Sequence, residues 1–182
     1  LRLKSNTLTT LTRFFSWVST QFQRMFCALQ CDNGREFDNH ASCSFFLTND
    51  VQLCILFLYT SAQNGWAKCM IRTTTNMIRY LLFQASFPAS YWAEALHTAT
   101  HLLNRLPTKA VSHHTPHFAL YDIATLLRVF GCACYPNTSA TAPHKLSPHS
   151  TRCLFLSYSP DHKGYCCLDL ASNHILISRH IV

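Results

Sequence analysis

Apolar residues recur at helical spacing from the first stretch of the chain. Leu8, Leu11, Phe14, Phe15, Val18 and Phe22 predict a helix over 7–23. Residues 25–30 form a short apolar run that stops at Cys31-Asp32-Asn33-Gly34, the pattern of a buried strand closed by a turn. A short helix is predicted over 39–49 with Phe45 and Phe46 inward. The apolar run 51–58 fits a strand or a helix segment equally well. After the polar stretch 59–65, a long helix is predicted over 66–85, with Trp66, Met70, Met77, Ile78, Leu81 and Leu82 as its apolar positions. Phe87-Pro88 ends it, because proline carries no amide proton and clashes with the preceding turn. A further helix over 89–106 turns Tyr91, Trp92, Leu96, Ala99 and Leu103 inward and stops before Pro107; 107–125 reads as mostly connecting chain.

The period then changes. Apolar runs at 129–135, 153–158, 165–170 and 174–181 alternate with Pro, Gly, Ser and Asn turns. That is the pattern of a small antiparallel sheet or barrel. The chain is thus predicted to be α/β first, then helical, then a small β module.

Composition alters this picture little. The 182 residues suffice for one domain and a small second one. No apolar run is long enough to span a membrane. The chain begins at Leu1, not Met, with no secretory leader, so a truncated start and a reducing compartment are expected. Fifteen Lys and Arg face eight Asp and Glu, a net charge of +7, which favours polyanionic partners. Residues 1–57 hold five basic and four acidic groups, while 58–125 and 126–182 each hold five and two. Ten cysteines invite a zinc or disulfide reading, yet no C-x-x-C occurs. Cys132 and Cys134, two apart, point to one face of a strand and read as core thiols. His113, His114 and His117 have no partner cysteine at zinc-finger spacing.

The sharpest chemical feature is Asp32-Asn33-Gly34-Arg35-Glu36-Phe37 after the predicted strand. A carboxylate at the C-terminal end of a strand lies where α/β sheets hold ligands. Asp-Asn-Gly is also ordinary turn chemistry. The second feature is Gln63-Asn64-Gly65 at the mouth of the long helix. Beyond it, Lys68, Arg72, Asn76 and Arg79 follow at steps of four, four and three and share one helix face. Such a stripe is a solvated face or a row of phosphate contacts.

The run from Leu29 through Asp32 to Phe37 resembles the second-aspartate motif of copia-type retrotransposon integrases, most closely plant elements. Tyr59 to Ala67 resembles the loop before the family's catalytic glutamate. Leu81 to Ala95, with Leu103-Asn104-Arg105-Leu106-Pro107, is similar to the helices that follow. Leu127 to Pro136, including Arg128-Val129-Phe130-Gly131-Cys132, is similar to the start of the SH3-like module behind the core. The resemblance covers essentially the whole chain. It implies a ribonuclease-H-like catalytic core over 1–122, lacking its first strand, and an SH3-like β module over 126–182. It also implies a polynucleotidyl transferase acting on DNA, a nuclear location, self-association, and two Mg²⁺ or Mn²⁺ ions held by two Asp and one Glu. Asp32 matches the second aspartate. Gln63, Asn64, Gly65, Lys68, Arg72 and Arg79 match positions that meet DNA.

The departures matter more than the matches. The first aspartate belongs on a strand before Leu1. The glutamate should follow Asp32 with 35 residues between, and that position is Lys68. An ammonium has no lone pair for a metal and repels one. Glu36 and Glu94 do not have the family's placement. In the first turn of a helix, Lys68 also opposes the macrodipole, by roughly 0.3–1 kcal/mol. Cys54, Cys69, His149, Cys166 and His174 stand where the family has arginine, Leu58 where it has proline, and Ser157 where it has glycine. Each change needs one C-to-T or G-to-A step, which fits decay of a methylated copy. Residues 121–126 are a few positions short of the family. A degenerate integrase fragment without catalysis is therefore expected. A non-enzymatic nucleic-acid-binding or interaction module that keeps the fold is the alternative.

Overall fold

A computed structural model describes residues 4–32, 34–56, 64–122, 127–139, 144, 146–159 and 162–182. The chain packs as two compact units, Leu1–Met70 and Ile71–Val182.

The first unit is built on α1 (Thr7–Phe22), β1 (Ala28–Cys31), α2 (His40–Thr48) and β2 (Gln52–Ile55). β1 and β2 are parallel, in register from Ala28 opposite Gln52 to Cys31 opposite Ile55. Parallel neighbours need a crossover, and α2 supplies it. Asn39 caps α2, its side chain accepting the Ser42 amide proton. α1 ends where Gln23 turns left-handed and donates its amide to Ser19. Phe15 ties the unit together, with its ring 4.1 Å from Phe26, 5.7 Å from Phe45 and 6.1 Å from Phe46. Phe46 is fully buried, as the pattern predicts, and Phe45 is half-buried.

The first strand departs from expectation. It starts at Ala28, Met25 is 75% exposed, and of the strand only Cys31 is buried. The sheet has two strands among the described residues, so it cannot sandwich apolar side chains on both faces. The ambiguous run after α2 is strand β2 at 52–55; residues 57 and 58 of that run lie outside the described residues.

The long helix is α3 (Gly65–Gln84), and the boundary between the units falls within it. The second unit continues with α4 (Trp92–Leu103), α5 (Pro116–Tyr121), β3 (Ala133–Cys134), β4 (Cys153–Tyr158), β5 (Tyr165–Asp169) and β6 (Ile175–Ser178). The four strands form one antiparallel sheet in sequence order. The Pro136–Ile181 bridge and paired amide bonds between Tyr135 and Val182 join β3's end to the chain after β6. Alternation along the strands serves two cores. Leu156 and Leu168 face outward and pack with Leu81, Ala95, Ala99 and Phe130. Cys134, Cys153, Phe155, Cys167 and Ile181 fill the interior. Burying one such large apolar side chain is worth roughly 1.5–3 kcal/mol.

Three details lock this unit. The β4–β5 register slips between Phe155 and Ser157, and the Leu156 carbonyl accepts the buried Thr98 hydroxyl of α4 at 2.8 Å. Gly131 has φ +77°, and a Cβ there would lie 2.5 Å from the Ala85 Cβ, so only glycine fits. The Arg128 guanidinium donates to the Ile181 carbonyl at 2.9 Å and lies 5.6 Å from the Tyr165 ring centre.

The inward face predicted for α4 needs correction. Trp92 is 57% exposed, not inward. The buried face of α4 is Ala95, Thr98 and Ala99, which starts one turn later. Small residues bring the helix axis close to the sheet, and the bulky Trp92 is left outside. Tyr91 is half-buried against Phe87, 5.0 Å away. The stretch after Pro107 also contains α5, opened by Thr115, whose hydroxyl accepts the Phe118 amide proton, with Pro116 as its first residue.

Candidate functional site

Asp32 follows the last residue of β1 and is exposed. Its Oδ1 accepts the Gly34 amide proton at 3.3 Å, a local turn bond. Phe37 and Asp38 then donate their amides to the Gly34 carbonyl, which tightens the loop. Asn33 lies outside the described residues. The Glu36 carbonyl accepts the Asn39 side-chain amide at 3.0 Å and the Ser42 hydroxyl at 3.3 Å, so the loop is anchored on α2. The Glu36 carboxyl lies against Gly34, where an added Cβ would meet its Cδ at 2.8 Å. Cys31, next to Asp32, is buried. Burial first, then the charge of Asp32, then Cys54 and Asp38, push its thiol pKa up. Cys31 therefore stays a neutral thiol at ordinary pH.

On α3, Asn64 is half-buried just before the helix and Gly65 is its first residue. Gln63 lies outside the described residues. Lys68 is exposed in the first turn. Trp66, on the same turn, is 90% exposed. In the second unit Arg72, Asn76 and Arg79 are all exposed, and helical spacing puts them on one face. Glu94 is half-buried in the first turn of α4, in a different unit from Asp32. Among the described residues, no group of three or more His, Cys, Asp or Glu is placed to hold a metal ion. No helix among them is long and apolar enough to cross a membrane.

The β module also carries a surface cleft of about 610 Å³ lined by Tyr135, Asn137, Ser139, His149, Ser150 and His180. Sequence reasoning did not single it out. Its residues come from three separated stretches, so no local motif marks them.

This four-stranded module belongs to a known class: residues 132–182 match the retroviral polymerase SH3-like domain. The likeness extends through the whole chain. It is 34% identical over 184 residues to the "Retrovirus-related Pol polyprotein from transposon RE1" of Arabidopsis thaliana, covering 100% of this chain and 12% of that protein. The corresponding polyprotein from transposon RE2 of the same plant is 33% identical, again over 100% and 12%. The chain is thus a relative, along its full length, of one segment of the plant retrotransposon Pol polyproteins, and it spans only about an eighth of their length. Among solved structures, a chain of the simian T-cell lymphotropic virus intasome, determined by cryo-electron microscopy with the PP2A regulatory subunit B56 gamma, matches at 12% identity with a TM-score of 0.49. That match covers 98% of this chain and 65% of the other.

Proposed function

We propose that the chain is the integrase region of a copia-type retrotransposon, in a copy that holds DNA in the nucleus without cutting or joining it. The observation that carries this reading is Lys68. It is an exposed ammonium in the first turn of α3, where the resemblance requires the glutamate that completes a metal site. The parallel β1–α2–β2 unit, with Asp32 just past β1, supports a ribonuclease-H-like core over 1–122. The SH3-like module follows over 126–182; residues 123–126 at that join lie outside the described residues.

The donor set does not fit Mg²⁺ or Mn²⁺. Both ions need several hard oxygen ligands. Of the positions that match the family's metal ligands, Asp32 alone bears a carboxylate, and Lys68 places a positive charge where the third ligand belongs. The protonated Cys31 thiol is no substitute. No catalytic step is therefore assigned to these residues.

The basic face of α3 retains a use. Guanidinium groups on Arg72 and Arg79 can each donate two parallel hydrogen bonds to a phosphate, and Asn76 between them adds a neutral donor. Lys68 carries a further exposed positive charge in the first turn of the same helix. Phosphate contacts position a protein on DNA without reading its sequence. A strand-transfer assay with Mg²⁺ or Mn²⁺ tests the proposal, run beside fluorescence-anisotropy binding to the same duplex. Binding with no joined product is expected. Product formation that disappears in Asp32→Ala overturns the claim of inactivity, and failure to bind any duplex overturns the claim of a DNA partner.

A further inference from the structure

Helix α3 leaves two aromatic rings in solvent near its C-terminal end. Phe83 is 88% exposed and Tyr80 is 63% exposed. The helix packs on the core of the second unit through Met77, Ile78, Leu81 and Leu82. Successive helical residues turn by about a hundred degrees, so Phe83 lies opposite that row and Tyr80 lies beside Phe83 on the outer face. Arg72, Asn76 and Arg79 are exposed on the same outer face. Steps of three and four join the five into one patch: Arg72 to Asn76, Asn76 to Arg79 and to Tyr80, Arg79 and Tyr80 to Phe83. Side chains at such steps are neighbours, with Cβ atoms about 5–6 Å apart. All five belong to the second unit.

A single exposed apolar side chain is ordinary on a protein surface. This pair differs in its setting. Two neighbouring rings stand among two guanidinium groups and an amide, on a helix whose sequence contains Lys68, Arg72 and Arg79 but no Asp or Glu. The matching occupant is a polyanion that also offers flat apolar groups. Duplex DNA supplies the phosphates, but its bases are stacked on one another and closed to a ring approaching from outside. An unpaired strand offers both parts, phosphates for the arginines and a free face on each base for the rings.

We infer that this outer face of α3 binds single-stranded DNA, with Phe83 and Tyr80 stacking on unpaired bases while Arg72, Asn76 and Arg79 hold the backbone. The inference rests on the reading of DNA as the partner and adds the form of DNA that the two rings select. Every base has a π-face, so the stacking is indifferent to sequence. The arginines serve paired and unpaired strands alike; the rings serve unpaired bases alone.

Fluorescence anisotropy of the full chain is measured with a labelled oligothymidylate, which does not pair with itself, and with a duplex of equal length, in one low-salt buffer. Phe83→Ala and Tyr80→Ala should each weaken oligothymidylate binding by about tenfold and leave duplex binding unchanged. Phe83→Trp, which keeps a ring, should hold the strand as the parent does. Ultraviolet crosslinking and peptide mass spectrometry should attach the strand to the α3 peptide bearing Tyr80 and Phe83. Both side chains are exposed, so the variants should keep the fold, which circular dichroism checks. Unchanged oligothymidylate binding in both alanine variants, beside intact duplex binding, overturns the inference and leaves DNA as the partner. Equal losses on the two forms also overturn it, and failure to bind either form overturns both readings. Sedimentation tests the other occupant: a dimer that Phe83→Ala dissociates, with strand binding unchanged, assigns the face to a second copy of the chain and overturns the inference.

Discussion

Thr98 and Thr100 occupy the same helix two residues apart, with unequal duties. The Thr98 hydroxyl is buried and supplies a hydrogen bond at 2.8 Å to the Leu156 carbonyl, at the slip in the β4–β5 register. Thr100 is exposed and bonds back to its own helix at Leu96 and His97. Thr98→Val keeps the shape and leaves a buried carbonyl unpaired, so it should cost about 1–3 kcal/mol in urea unfolding. Thr100→Val should change stability by less than about 0.5 kcal/mol. Equal losses in the two variants would refute a special role for the bond. Three residues along α4 from Thr98, His101 stacks on Tyr158 with ring centres 3.5 Å apart and planes within 6°. Its Nε2 is buried without a hydrogen-bond partner. Burial first, then the Arg105 charge, then His117, push the His101 pKa from 6.5 down to about 4. The folded state therefore refuses a proton that the unfolded chain accepts. The contribution of His101 to stability is complete above pH 6.5, is lost as pH falls from 6.5 to about 4, and levels off below. Asp169, held below its ordinary value of 3.8 by the Ser172 hydroxyl and the Ala171 amide, titrates below this window. Melting midpoints across pH 4–7 should show the slope, and His101→Phe, which keeps the stack, should flatten it. An unchanged slope in that variant would place the acid sensitivity elsewhere.

At the scale of elements, α2 shows how a single apolar run divides. Phe45, Phe46 and Leu47 are consecutive, yet Phe46 is 1% exposed and Leu47 is 81% exposed. Helical spacing turns successive residues by about a hundred degrees, so only one of the three can face the Phe15 ring fully. Phe46→Ala should destabilise the first unit by about 3–5 kcal/mol, and Leu47→Ala should be near neutral. Near-ultraviolet circular dichroism of the aromatic cluster during urea unfolding distinguishes them; comparable effects would mean that the Phe15 cluster is not the core of this unit. The helices α1, α3 and α4 were legible in the sequence because three or more turns repeat their apolar spacing. α5 was not, since six residues cannot establish a period; its sign is the Thr115-Pro116 cap. The apolar run 129–135 yields only the two-residue β3, because Gly131 takes a left-handed conformation against Ala85 and breaks the ladder before Ala133. The inward face of α4 was misread by size: Trp92 is large, but the sheet admits Ala95 and Ala99. Asp32 and Lys68 drew notice through family resemblance and their separation in the chain. The cleft around His149 and His180 assembles from distant stretches, and no spacing rule reaches it.

For the whole molecule, the distribution of charge gives the proposed DNA binding a test. Residues 1–70 carry six basic groups against four acidic, a net +2; residues 71–182 carry nine against four, a net +5, and together these give the +7 of the chain. Arg72 and Arg79 belong to the second set and are exposed on one face of α3. Binding driven by phosphate contacts releases condensed counterions, so the logarithm of the association constant falls linearly with the logarithm of salt concentration. The slope is about −0.9 per phosphate neutralised. If each arginine neutralises one phosphate, Arg72→Ala combined with Arg79→Ala should make the slope shallower by about 2 units on duplex DNA, uniformly across sequences, because these contacts carry no base readout. Arg13→Ala with Arg24→Ala, both exposed in the first unit, removes the same net charge from elsewhere on the chain. The paired comparison separates a general loss of positive charge from loss of a specific face. Equal changes in slope for the two double variants would mean that DNA responds only to net charge. A larger change for the α3 pair would assign the phosphate contacts to that helix.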